Sequence, residues 1–131
     1  MHRLPSRSTV HRFRGAAFLL CSCFVLTFVS IGVLIYSIFI TDRELTIIGA
    51  LLGLLTLLTI FFQWLLSSRT RCPLCMTPVL AKNGCSKHRN ARTFMGSHRL
   101  RVALAILSRG TFTCPYCHER TAVEARQRNR A

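Results

Sequence analysis

Two short cysteine motifs are the residues of this sequence best suited to chemistry. Cys72-Pro-Leu-Cys75 and Cys114-Pro-Tyr-Cys117 each place two thiols three positions apart, and 38 residues separate the motifs. Two thiolates on one tight turn can bind the same ion, and two such turns complete a tetrahedral site of four sulfurs. We therefore predict that these four cysteines hold one structural zinc ion.

Two other ligand sets stay open at this point. One combines the first motif with a cysteine and a histidine downstream, and consists of Cys72, Cys75, Cys85 and His88. This set would leave the second motif without a role. Two complete sites would need eight ligands, and would therefore also recruit His98 and His118.

The Cys-Pro-x-Cys turns resemble the knuckles of the zinc-ribbon and rubredoxin-like families, over about residues 71–120. The resemblance implies a small domain in which both turns sit at hairpin tips around one structural zinc. The interval between the turns is about twice the usual 15 to 20 residues. No individual protein is indicated by these motifs.

Two further chemistries share the second motif. Cys114 to His118 matches the Cys-x-x-Cys-His pattern of c-type haem attachment, which takes place outside the cytoplasm. Cys-Pro-Tyr-Cys also resembles a glutaredoxin active site, but that fold needs more strands than the 14 residues after Cys117 can supply. We find no paired carboxylates, no nucleophile with a base and no phosphate-binding glycine loop, so we expect no enzyme, with thiol redox chemistry as the remaining alternative.

The segments around the motifs predict a small α+β domain. Residues 76–80 and 111–113 favour short strands next to the turns. Ser97 and Gly110 are suited to cap a helix between them, whose apolar residues recur at helical spacing at Leu100, Ala103, Leu104 and Leu107. A strand through the same segment is the alternative. We expect a frayed helix or a basic tail over 121–131, which leaves 67–120 as the domain.

The element that must position this domain is a pair of apolar segments. Residues 16–40 and 45–66 contain no charged side chain, and a polar hinge over 41–44 joins them. Each segment exceeds the roughly 20 residues that a helix needs to cross a bilayer. The fold class that follows is a hairpin of two transmembrane helices over 16–66, joined to a zinc-ribbon-like cytoplasmic domain.

Charge predicts the orientation of this hairpin. The net charge is +14, with four arginines and no acid in residues 1–15 and 13 Lys/Arg against two glutamates in residues 67–131. Lysine and arginine beside membrane spans are retained in the cytoplasm. We therefore expect both termini in the cytoplasm, at the inner membrane if the cell is bacterial, with 1–15 as a disordered basic arm. A cleaved signal peptide is the alternative for the first segment, but its apolar run is too long and lacks a clear cleavage site.

The function expected from these features is binding or scaffolding at a membrane surface. Neither apolar segment carries the ionisable residues that transport paths require. Gly49 and Gly53 favour close helix packing, within the hairpin or in a homo-oligomer.

The candidate residues for an anionic partner are Arg69, Arg71, Lys87, Arg89, Arg92, Arg99, Arg101 and Arg109. Lipid head groups are the expected partner, with an acidic protein or, less favoured, nucleic acid as alternatives. With so little apolar core outside the hairpin, we expect residues 67–131 to fold only with metal.

Overall fold

The computed structural model describes residues 2–125, and a long helical hairpin dominates it. Helix α1 is Arg7–Ile40 and helix α2 is Arg43–Arg69, and both are long and apolar enough to cross a membrane. The turn between them needs only two residues. Thr41 ends α1 in the left-handed backbone region (φ 56°), and Asp42 begins α2 by accepting a hydrogen bond from the Glu44 N–H at 3.1 Å.

Small and short polar side chains line the seam between α1 and α2. Buried residues recur every seven positions, at Ala16, Cys23, Ser30 and Ser37 on α1 and at Gly49, Thr56 and Gln63 on α2. A seven-residue repeat is typical of left-handed packing between helices. A Cβ atom on Gly49 would lie 2.7 Å from Leu34 Cδ2, so this glycine permits a close approach to α1. The two glycines singled out in the sequence therefore serve the packing of the hairpin itself.

A small sheet and a third helix complete the described chain. The strands are β1 (His2–Leu4), β2 (Thr111–Thr113) and β3 (Arg120–Ala125), and helix α3 is His98–Arg109. β3 is central, pairing with β1 in parallel and with β2 in the antiparallel sense.

Helix α3 confirms the predicted helix and its caps, and the strand alternative is wrong. The Ser97 hydroxyl accepts from the Leu100 N–H at 3.4 Å, and Gly110 (φ 64°) ends the helix by donating its N–H to the Ile106 carbonyl. Leu100, Ala103 and Ile106 are buried on its inner face, whereas Leu104 and Leu107 of the predicted apolar stripe are exposed. This face packs against α1.

The prediction of a disordered arm over residues 1–15 is wrong for the residues described. His2–Leu4 forms β1, Ser6 caps α1, and Leu4 and Phe13 are fully buried. The Phe13 ring stacks on Phe112 with a centroid separation of 5.5 Å. The physical reason is a helical apolar stripe, Val10, Phe13 and Ala17, that gains free energy only when the domain covers it.

Two further expectations differ from the structure. The predicted strand over 76–80 is reduced to one bridge between Arg71 and Pro78, because proline has no N–H to continue a ladder. The predicted tail begins instead as a strand, since Thr121 and Val123 are buried within β3. The rest of the 121–131 segment lies outside the described residues.

Residues that precede the hairpin in the chain and residues that follow it therefore form one hydrophobic core. Its members include Leu4, Val10, Phe13, Val79, Leu80, Val102, Phe112 and Val123, together with the two cysteines Cys72 and Cys114. A Cβ atom on Gly15 would lie 3.8 Å from Leu66 Cδ2, so Gly15 of α1 lies beside Leu66 of α2. The domain predicted over 67–120 is in fact discontinuous, and α1 runs from the hairpin into its core.

Candidate metal centre

Both cysteine motifs fold into the same hydrogen-bonded turn. In the first, the Cys72 carbonyl accepts the Met76 N–H at 2.9 Å, and the Cys72 N–H donates to the Thr77 carbonyl at 3.0 Å. In the second, the Cys114 carbonyl accepts the His118 N–H at 2.9 Å, and the Cys114 N–H donates to the Glu119 carbonyl at 3.0 Å. The two turns thus present their cysteine pairs in equivalent ways.

A left-handed residue ends each turn, and sequence reasoning missed this feature. Met76 has φ 55° and His118 has φ 60°, immediately after the second cysteine of each motif. This backbone region favours glycine because other residues bring Cβ too close to the backbone. No glycine stands at either position, so the sequence carried no local signal for the conformation.

The four sulfurs of these turns converge on one point. Their Sγ atoms all lie within 4.8 Å of one another, with separations of 3.7 Å between Cys75 and Cys114 and 3.9 Å between Cys72 and Cys117. Cys72 and Cys114 are fully buried, while Cys75 and Cys117 are half-buried. Among residues 2–125 no other group of cysteine, histidine and acidic side chains has this geometry. The cluster could hold a metal ion.

The cysteines of the cluster differ in pKa because their surroundings differ. The neighbouring Cys114 thiol and, further, the N–H groups of Leu74 and Cys75 lower the pKa of Cys72 to about 5, against the effect of burial. The neighbouring Cys72 thiol, followed by burial, raises the pKa of Cys114, and burial raises the pKa of Cys117. Thiolates are the metal-binding form, so a cation must displace the protons of Cys114 and Cys117. Binding is therefore stronger at higher pH.

The alternative ligands do not join this cluster. Cys85 is exposed, and His88 is exposed and stacked on His118, with ring centroids 4.7 Å apart. The His88 N–H donates to the Pro115 carbonyl at 2.8 Å, which fastens the segment between the motifs onto the second turn. The structure therefore assigns His88 to packing beside the cluster. His98 is likewise apart, with Nδ1 3.2 Å from the Arg92 carbonyl oxygen.

The basic residues singled out in the sequence lie on the surface of the domain. Arg69, Arg71, Lys87, Arg89, Arg92, Arg101 and Arg109 are exposed, and Arg99 is half-buried. Three of them, Arg92, Arg101 and Arg109, line a cleft of about 810 Å³ beside α3 and β2. Arg120 lines the same cleft and was not singled out, because only the pairing of β3 with β2 brings it there.

Comparison of the chain with family models, with curated proteins and with solved structures found no match in any of the three.

Proposed function

We propose that this chain is an integral membrane protein that presents a zinc-stabilised, basic module for binding at the cytoplasmic membrane surface. The proposal names a binding or scaffolding role, and no catalytic one.

The observation that carries the proposal is the apolar surface of the hairpin. Large exposed side chains extend from Phe18 to Ile40 on α1 and from Ile47 to Leu65 on α2. At 1.5 Å per residue these bands are about 33 Å and about 27 Å long, close to the roughly 30 Å of a bilayer's hydrocarbon. Exposed apolar surface of this extent requires an apolar surrounding.

The ends of the hairpin support its orientation. Tyr36 and Trp64, both largely exposed, lie near opposite ends of the apolar band, where aromatic rings favour the membrane interface. Residues 2–17 and 67–125 share one core at one end of the hairpin. Because that end carries the arginines, we assign it and both termini to the cytoplasm.

Zinc is the metal that suits the four sulfurs. A tetrahedral Zn–S distance of about 2.3 Å implies sulfurs about 3.8 Å apart, and the Cys75–Cys114 and Cys72–Cys117 pairs are 3.7 and 3.9 Å apart. All four ligands are protein side chains, which is the closed arrangement of a structural site. Such a site stabilises a small domain and leaves no position open for substrate. Full burial of Cys72 and Cys114 also disfavours a thiol redox role, because reactive cysteines are accessible.

Metal analysis tests the site. The purified full chain should contain one zinc ion, and Cys72→Ser or Cys114→Ser should abolish stoichiometric binding. Cys85→Ser is the matched control and should retain the metal, since Cys85 is exposed outside the cluster. Loss of zinc in the Cys85 variant, or none in the wild-type chain, would contradict the proposal.

Reporter fusions test the topology separately. Reporters before Met1 and after Ala131 should be cytoplasmic, and one inserted between Thr41 and Asp42 should be external. An external reporter at the carboxyl end would overturn the orientation and reopen haem attachment at Cys114 and Cys117.

A further inference from the structure

The cleft beside α3 collects positive charge. Four arginines, Arg92, Arg101, Arg109 and Arg120, line it together with the buried core residues Val102 and Phe112. The arginines come from three separate pieces of the chain: the loop before α3, the helix itself and β3. Their convergence is a property of the folded domain.

No carboxylate offsets this charge within the cleft. Only two acidic residues follow the hairpin, Glu119 and Glu124, and neither is among the residues that line the cleft in the described chain. Four guanidinium groups around one concavity repel one another and focus a positive potential there. An anion that enters relieves the repulsion.

The donors in the cleft are those that bind phosphate well. Guanidinium groups offer planar pairs of N–H donors that match phosphate oxygens. Ser108, Thr111, Thr113 and Asn90 line the same space, so uncharged polar residues accompany the arginines. The 3.2 Å contact of His98 Nδ1 with the Arg92 carbonyl holds the loop that carries Arg92 against α3.

Size and shape favour a small ligand over a nucleic acid strand. The cleft volume of about 810 Å³ is in the range of small-molecule sites. Single-stranded nucleic acid is bound by exposed aromatic platforms, whereas the only phenylalanine, tyrosine or tryptophan that lines the cleft in the described chain, Phe112, is 2% exposed and stacked on Phe13. No residue of α1 or α2 lines the cleft, so the hairpin does not close its entrance.

We infer that this cleft is a binding site for a phosphate-bearing small group, supplied either by a phospholipid head group or by a soluble phosphate compound. The inference rests on the proposed function and gives its anionic partner a specific site, the cleft lined by Arg92, Arg101, Arg109 and Arg120.

The test uses the full zinc-loaded chain in nanodiscs of zwitterionic phosphatidylcholine. Two probes are titrated at about 0.1 M salt: inorganic diphosphate and monomeric dihexanoyl phosphatidic acid. The cleft variant is Arg92→Gln/Arg101→Gln. The matched control, Arg71→Gln/Arg89→Gln, removes the same charge from exposed positions outside the cleft.

We expect the cleft variant to weaken binding of the preferred probe at least tenfold and the control to weaken it less than twofold. Tighter binding of phosphatidic acid would identify a lipid head group as the source, and tighter binding of diphosphate a soluble compound. Equal losses in both variants, or no binding of either probe, would overturn the inference. Zinc content and reporter topology measured on the same proteins show whether the proposed function fails with it.

Discussion

At the scale of single residues, the backbone directly after each cysteine pair is strained, and Met76 isolates this strain because its side chain is mostly exposed. Met76 has φ 55° and is 63% exposed, so its conformation is imposed by the turn around Cys72 and Cys75. A non-glycine residue in this region costs roughly 1–2 kcal/mol. Glycine avoids that cost but loses more entropy on folding, by about 0.5–1 kcal/mol.

Comparing two replacements of Met76 therefore distinguishes the effect of backbone strain from the effect of losing the side chain. Met76→Gly should be more stable than Met76→Ala by about 1 kcal/mol, because both remove the side chain and only glycine removes the strain. Denaturant unfolding of the zinc-loaded chain in detergent measures the difference. Equal stability of the two variants would show that the turn imposes no such strain.

Thr121 carries a buried polar atom whose hydrogen bond is missing. Its side chain is fully buried in β3, and Oγ1 has no partner among the described residues. An unsatisfied buried hydroxyl costs about 1–3 kcal/mol. Thr121→Val keeps the shape and removes the hydroxyl, so it should raise the unfolding free energy by about 1 kcal/mol.

The half-buried Thr113 on the neighbouring strand is the matched control, and Thr113→Val should change stability by less than half of that amount. A loss of stability in Thr121→Val would mean that the hydroxyl makes an interaction worth keeping. Thermal unfolding in the same detergent is sufficient to distinguish the two results.

At the scale of elements, the seam of the hairpin depends on the absence of a side chain at Gly49. A Cβ there would lie 2.7 Å from Leu34 Cδ2, whereas a Cβ on Gly32 would meet nothing within 4 Å. Gly49→Leu should therefore force α1 and α2 apart and lower stability by about 1–3 kcal/mol, the usual range for overpacking. Gly32→Leu adds the same side chain to the outer face and should be nearly neutral.

Thermal unfolding in detergent compares the two glycine variants. A disulfide between Ser37→Cys and Thr46→Cys, whose native hydroxyls lie 2.6 Å apart, reports the seam directly. It should form readily in the Gly32 variant and slowly in the Gly49 variant. Equal destabilisation of both glycine variants would contradict a seam at Gly49.

Elements with a local signal were predictable from the sequence, and elements defined by a distant partner were not. Ser97 and Gly110 specify the ends of α3 through their own side chain and backbone. β1 has three residues without a periodic pattern, and it is a strand only because β3 lies beside it. The start of α1 did carry a signal, since Val10, Phe13 and Ala17 recur at helical spacing among the arginines.

The site shows the same division. The spacing of the four cysteines predicted that they form one cluster, and the structure brings them together. Arg120 reaches the cleft through strand pairing, and His88 packs on the second turn through a main-chain hydrogen bond. Neither position is encoded by residues adjacent in sequence.

At the scale of the whole molecule, the domain outside the hairpin cannot be cut from the chain at one point. Leu4, Val10 and Phe13 belong to its core, although 50 or more residues separate them from Ser67. Loss of a buried phenylalanine alone costs about 3–5 kcal/mol. The expectation that residues 67–131 fold with metal as an isolated piece therefore needs correction: that piece should bind zinc weakly and remain unfolded.

A chain in which a short Gly/Ser linker replaces residues 18–66 should instead fold and bind one zinc ion. Gly15 and Leu66 lie side by side, and a linker of about six residues spans roughly 13 Å. Circular dichroism and zinc titration compare it with the 67–131 piece, and Phe13→Ala in the linked chain is the control that should unfold it. Folding of the isolated piece would show that the amino-terminal residues are dispensable.

The parallel pairing of β1 with β3 also dictates an order of events during synthesis. β1 leaves the ribosome 116 residues before the first residue of β3, a delay of roughly 6–23 s at about 5–20 residues per second. The end of α2, Arg69, is made 51 residues before Arg120, so for the last part of that delay the whole hairpin has been made while Leu4 still lacks its β3 partner. Insertion into the proposed membrane is therefore complete before the domain can close, because β1 must remain unpaired until β3, the last of the described strands, has been made.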